Sequence, residues 1–197
     1  MEVETINTRT FRKPINRILQ SMGLPLRAAD HSLENIRVVG KKVGIEIVAV
    51  TPEEFGAEYE EASGVWRGSK KVNEVGGFAQ RHPYGDYLVV KLESFEQTLD
   101  TLGHEIGHLL TPKLEKRIDE EGKAMIFEYE WDYVIDRDKI IPNSNIPLQY
   151  FYSHRNSREP YKSAYFALNN LVIKMGLEPL DIYRMLSKGE INLLEQK

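Results

Sequence analysis

The stretch His104-Glu105-Ile106-Gly107-His108 predicts both the central helix of this chain and its functional site. An α-helix turns about 100° per residue, so His104 and His108 share one face and can direct two ring nitrogens at one metal ion. Glu105 lies beside them, off the line through the two histidines. A carboxylate in that position can accept a proton from a water that the ion activates. The stretch therefore predicts a zinc site with Glu105 as general base.

The residues on either side of this motif have the pattern of a buried amphipathic helix. Ser94 is the predicted N-cap, and Thr111-Pro112 marks the end. Asp100, one turn before His104, is either a carboxylate that accepts the second ring proton of a ligand histidine or a solvated acid. The apolar positions project away from His104 and are Phe95, Leu99, Leu102, Ile106, Leu109 and Leu110.

Catalytic zinc needs a third protein ligand, and the next segment supplies candidates. Residues 114–136 have helical spacing, and Glu121 lies on the apolar face with Ile118 and Met125. A carboxylate on an apolar face is costly unless it binds a cation. We therefore predict Glu121 as the third ligand. Glu128, two turns on, is either a neighbour of the site or an exposed acid.

These motifs together resemble the gluzincin metallopeptidases, in which two motif histidines and a glutamate from a second helix bind zinc. Glu121-x-x-Ala124 is similar to the glutamate motif of that family. The compact minigluzincins and the ImmA/IrrE-like peptidases are closer to this chain in size and organisation. The resemblance covers residues 76–136. It implies His104, His108 and Glu121 as Zn²⁺ ligands, Glu105 as the base, and a peptide or protein substrate.

The spacing of the two motifs departs from the family pattern. Only 12 residues separate His108 from Glu121, so a tight turn must join the two helices. The short link leaves Glu120 and Glu128 as alternatives to Glu121.

A metallopeptidase also needs a donor for the negative charge that develops on the attacked carbonyl oxygen. The stretch Tyr150 to Arg155 concentrates such groups, and Tyr152 and His154 are the candidate catalytic residues in it. Packing in the core or exposure at the surface is the alternative role for each. His154 is also the reserve zinc ligand if Glu121 does not bind the metal.

Length and composition bound the architecture and the partners. A chain of 197 residues, 41% of them hydrophobic, can bury one substantial core. Its net charge of −4, with both signs interspersed, predicts no nucleic-acid partner. The absence of cysteine excludes disulfides, iron–sulfur clusters and thiol catalysis. No apolar run is long enough for a membrane span or signal sequence, so we expect a soluble cytoplasmic protein without a membrane partner.

The expected fold class is α+β and zincin-like: a small mixed sheet with an active-site helix, a glutamate helix and a helical C-terminal part. Residues 1–28 are predicted to form an N-terminal extension with a short helix. Residues 29–140 are the predicted metallopeptidase core, and residues 141–197 a loop and helical C-terminal subdomain. The C-terminal helices are candidates for packing on the core, for forming a homodimer or for closing the cleft.

Within the core, apolar residues three apart predict a helix over residues 29–39, and the β-branched run 43–50 predicts a central strand. Thr51-Pro52 predicts the start of another helix. Residues 75–80 and 87–92 are expected to pair as a hairpin. Its first strand, Gly76-Gly77-Phe78-Ala79, is either a plain structural strand or the edge that holds an extended peptide substrate.

The sequence thus favours a zinc-dependent metallopeptidase. The alternative is a regulatory or peptide-binding protein on a zincin scaffold, either non-catalytic with a structural zinc ion or latent because a terminal segment fills the cleft. A structural site has four protein ligands, whereas a catalytic site keeps one position for water, so the coordination of the metal separates the two functions.

Overall fold

A computed structural model describes residues 8–31, 35–64, 72, 74–142 and 157–196. Its helices and mixed β-sheet confirm the predicted α+β class. The chain forms two compact units, the first ending at Glu105 and the second beginning at Ile106. None of the helices in the described ranges is long and apolar enough to cross a membrane.

The first unit contains a sheet that, within the described residues, has five strands in the order β1-β2-β3-β5-β4. The parallel pair is β3 with β5, and the other neighbours are antiparallel. The predicted central strand and the predicted hairpin, which is β4 with β5, are therefore confirmed, and β4 lies at an edge. The strands are β1 (Arg27–Asp30), β2 (Ile36–Val39), β3 (Gly44–Val50), β4 (Gly77–Gln80) and β5 (Asp86–Lys91).

The helix predicted over residues 29–39 is wrong, because residues 27–30 and 36–39 are strands. Apolar residues three apart in this segment fit a helix, but Ile36 and Val38 also alternate as in a strand. In the structure both are fully buried, opposite Ile47 and Ile45 of β3. The local sequence therefore allows a helix or a strand, and pairing with the neighbouring strand β3 selects the strand.

Among the described residues, three α-helices begin in the first unit: α1 (Arg12–Ser21), α2 (Pro52–Ser63) and α3 (Phe95–Leu109). The predicted starting points are confirmed for two of them. The Thr51 side chain accepts a hydrogen bond from the Glu54 N–H, and Ser94 Oγ accepts one from the Gln97 N–H at 3.2 Å. Helix α1 packs on β1, the edge strand farthest from β4 in the sheet order, and buries Ile15, Ile18 and Leu19.

The second unit is built around one long helix, α4 (Arg117–Arg137). Helices α5 (Tyr161–Asn169) and α6 (Pro179–Ser187) and the final 3-10 turn (Leu193–Gln196) pack on it. Helix α4 is therefore buried around most of its circumference, including several charged residues. Buried charges need compensating partners, so these positions are where a functional site is expected.

Candidate metal centre

Three of the predicted site residues bring possible metal-ligand atoms together. His104 and His108 lie one turn apart near the end of α3, and Glu121 lies in the first turns of α4. One ligand atom from each side chain lies within 4.8 Å of the other two. All three side chains are partly buried, so the group is accessible to an ion and sheltered from bulk water.

The distance between His108 and Glu121 fits a shared metal ion. His108 Nε2 lies 3.6 Å from Glu121 Oε2, which is longer than a normal hydrogen bond. Two ligand atoms of tetrahedral zinc, each bonded at about 2.0–2.1 Å, lie about 3.4 Å apart. The pair is therefore close to the separation that zinc requires. Arg117, largely exposed, places its Nε 3.7 Å from the other oxygen of Glu121.

The opposite side of the His108 ring is held by Glu120. His108 Nδ1 lies 2.8 Å from Glu120 Oε1, and the Leu114 N–H donates to Glu120 Oε2 at 2.8 Å. Burial by itself would raise the pKa of the Glu120 carboxyl. Hydrogen bonds from His108, the Leu114 N–H and Lys123, together with the charge of Lys123, outweigh that effect and lower its pKa to about 2.

An ionised Glu120 determines which His108 nitrogen can bind a cation. A carboxylate only accepts hydrogen bonds, so His108 Nδ1 must carry the hydrogen. In the neutral ring Nε2 then holds the lone pair, and Nε2 is the atom that faces Glu121. Two acceptor atoms facing each other need a cation between them, either a metal ion or a proton on the ring. The donor set therefore fits zinc.

Lys123 completes this arrangement. Its side chain is fully buried, and its Nζ atom donates to Glu120 Oε2 at 2.9 Å and to the Pro112 carbonyl oxygen at 3.1 Å. The sequence indicates Glu120 only as an alternative ligand and does not single out Lys123. The signal was weak, because a Glu and Lys three apart on a helix usually form a solvated pair.

Close packing of the two helix segments in the second unit sets the position of His108. A Cβ atom added to Gly107 would lie 3.2 Å from the Ala124 Cα atom and 3.0 Å from the Phe127 Cβ atom. Glycine at 107 therefore lets the end of α3 lie directly on α4. The Tyr183 hydroxyl, from α6, donates to the Gly107 carbonyl oxygen at 3.0 Å and satisfies an acceptor at the helix end.

Glu105, the predicted base, lies against the edge strand within the first unit. A Cβ atom added to Gly77 of β4 would lie 3.1 Å from the Glu105 Cγ atom and 2.8 Å from the Thr101 Cγ2 atom. Thr101 and Glu105 are one helical turn apart, so both project toward the start of β4. The strand predicted to hold a peptide is therefore next to the predicted base.

The remaining predicted residues have different outcomes. Asp100 and Glu128 are 8% and 9% exposed, so the alternatives of a solvated acid at either position are wrong. Asp100 lies one turn before His104 on α3, and Glu128 lies two turns after Glu121 on α4. Tyr152 and His154 lie outside the described residues, and their predicted roles stay predictions.

Comparisons with protein-family models, with curated proteins and with solved structures found no match. Two imidazoles and one carboxylate are a donor set that suits zinc and related divalent ions.

Proposed function

We propose that the protein is a zinc-dependent metallopeptidase with a zincin-like fold. The observation that carries the proposal is the position of His108 Nε2, which faces Glu121 Oε2 at 3.6 Å while Glu120 occupies Nδ1. His104, His108 and Glu121 would hold the metal. The likeness of these motifs to the gluzincin pattern supports the same assignment.

Bound zinc would supply a Lewis acid for the scissile carbonyl and would lower the pKa of a water molecule. Glu105 then accepts a proton from the attacking water as the water oxygen adds to the carbonyl carbon. It returns that proton to the leaving nitrogen as the carbon–nitrogen bond breaks. One carboxylate thus serves as base and as acid, and no other proton carrier is required.

Strand β4 would bind the substrate as an additional, extended strand. An edge strand offers backbone N–H and C=O groups to any peptide, whatever its side chains. Because Gly77 lies against Glu105, a peptide paired with β4 would have a backbone carbonyl close to the base. The proposed substrate class is therefore an extended segment of a peptide or protein.

The metal content of the purified protein tests the proposal. Wild type, prepared without added metal and then incubated with zinc, should hold one zinc ion per chain. Glu121→Ala should hold much less, whereas Glu115→Ala, at an exposed position in the turn before α4, should match wild type. Wild type should also cleave members of a peptide library in a zinc-dependent manner. Wild type that binds no zinc would overturn the proposal.

A further inference from the structure

We infer that Glu120 and Lys123 form a positioning pair that fixes the His108 ring for metal binding and ties it to the turn between α3 and α4. The inference rests on the proposed metal site and deepens it. The pair touches neither substrate nor metal, and it acts only through His108.

The contacts of Glu120 account for both of its oxygens. Oε1 lies 2.8 Å from His108 Nδ1, and Oε2 accepts from the Leu114 N–H and from Lys123 Nζ. The carboxylate is therefore already engaged on the side of the ring away from Glu121. A carboxylate that accepts the second ring hydrogen of a ligand histidine fixes the ring orientation and makes the other nitrogen a stronger donor to the metal.

Lys123 makes a charged Glu120 possible at this buried position. A buried carboxylate without a counter-charge is costly, and the Lys123 ammonium, 2.9 Å away, supplies one. The Lys123 side chain has no exposed surface, so water does not screen the pair. Lys123 also donates to the Pro112 carbonyl oxygen.

The same contacts shape the turn that joins the two helices. Pro112 and Leu114 both lie in this turn, and each is bonded to a member of the pair. The short link between His108 and Glu121 is thus held in one conformation by the groups that orient His108. Disturbing the pair should change the metal site without removing a metal ligand.

A double variant, Glu120→Met with Lys123→Met, tests this inference. Glu120→Met alone would leave the Lys123 ammonium buried without its counter-charge, so loss of folding would explain any effect. The double variant removes both charges at similar volume. Methionine has no oxygen acceptor, so it replaces neither the contact of Oε1 with His108 Nδ1 nor that of Oε2 with the Leu114 N–H.

The measurements are zinc affinity, by competition with a coloured chelator, and the ring ¹⁵N–H spectrum of the zinc-loaded protein. We expect the double variant to unfold cooperatively and to bind zinc about 10- to 100-fold more weakly than wild type. The wild-type spectrum should contain a slowly exchanging Nδ1–H of His108, assigned by its absence in His108→Gln. That signal should be lost in the double variant and kept in the control Glu115→Gln.

The outcomes separate this inference from the proposed function. A double variant that binds zinc as tightly as wild type, or that keeps the protected Nδ1–H signal, would overturn the positioning role and leave the metal site intact. Wild type that binds no zinc would overturn the metal site and this inference with it. Weak zinc binding in an otherwise folded double variant, with the signal lost, supports the inference.

Discussion

Gly77 of the edge strand lies against Glu105 of α3, so closely that a Cβ atom on residue 77 would be 3.1 Å from the Glu105 Cγ atom. The same added atom would lie 3.2 Å from the Val89 carbonyl oxygen, which belongs to the neighbouring strand β5. Backbone on one side and the helix on the other leave no space for a side chain. The position of the proposed base relative to the proposed substrate strand therefore depends on glycine at 77.

Gly77→Ala should destabilise the protein and lower peptidase activity. A protein with glycine inside a strand is ordinarily about 0.5–1 kcal/mol less stable than one with alanine there. At an uncrowded position, replacing glycine by alanine would therefore stabilise the protein. Here the overpacking should instead lower the free energy of unfolding by about 1–3 kcal/mol. Denaturant unfolding and the rate of peptide cleavage are the measurements.

The companion change for this test is Thr101→Ser. The Thr101 Cγ2 atom would be the nearest neighbour of the new methyl group, at 2.8 Å, and serine lacks that atom. Part of the lost stability and activity should therefore return in Gly77→Ala combined with Thr101→Ser. Additive losses in the double variant would show that the crowding at Thr101 is not the cause.

Gly107→Ala should weaken zinc binding although residue 107 is not a proposed ligand. The new methyl group would press on the Ala124 Cα atom and the Phe127 Cβ atom, and so move His108 away from Glu121. Alanine in place of glycine inside a free helix would stabilise it by about 1 kcal/mol. We expect the opposite sign, a loss of about 1–3 kcal/mol in the free energy of unfolding, together with weaker zinc binding. A more stable variant with unchanged zinc affinity would contradict the close packing.

Tyr183→Phe should cost stability because it removes the hydroxyl group that donates to the end of α3. Tyr183 is 6% exposed, and its hydroxyl donates to the Gly107 carbonyl oxygen at 3.0 Å and lies 3.4 Å from Thr111 Oγ1. Phenylalanine would leave the Gly107 carbonyl oxygen buried without that donor. The expected loss in the free energy of unfolding is about 1–3 kcal/mol. Tyr84→Phe is the matched control, because Tyr84 is 91% exposed and should lose almost nothing. Equal losses in the two variants would exclude the Gly107 contact as the cause.

Much of this fold could be predicted because local chemistry and tertiary packing agree. Thr51-Pro52 starts α2, the run 43–50 forms the central strand, and the two segments predicted as a hairpin pair as β4 and β5. The secondary structure of segment 29–39 could not be predicted, because the spacing of its apolar residues fits both a helix and a strand. Only the partners offered by β3 decide between them.

The candidate site shows the same division. Two histidines four apart specify a shared helix face by geometry alone, so His104 and His108 could be placed from the sequence. The separate roles of Glu120 and Glu121 could not be predicted. The side chains of neighbouring residues point in directions only about 100° apart around a helix axis, and the conformation of the turn before α4 was not predictable. The helix was expected to begin near Leu114 but begins at Arg117, and the Leu114 N–H in the turn before it is bonded to the Glu120 carboxylate.

Glu105→Gln should abolish peptide cleavage while zinc stays bound. Glutamine has nearly the shape of glutamate, so contact with the start of β4 is kept, but its amide cannot accept and return a proton. We expect at least a 100-fold loss of the cleavage rate, on the order of what general base catalysis contributes. Zinc content should remain that of wild type, because Glu105 is not among the proposed ligands. Loss of zinc from this variant would show that Glu105 has been given the wrong role, and unchanged cleavage would exclude it as the base.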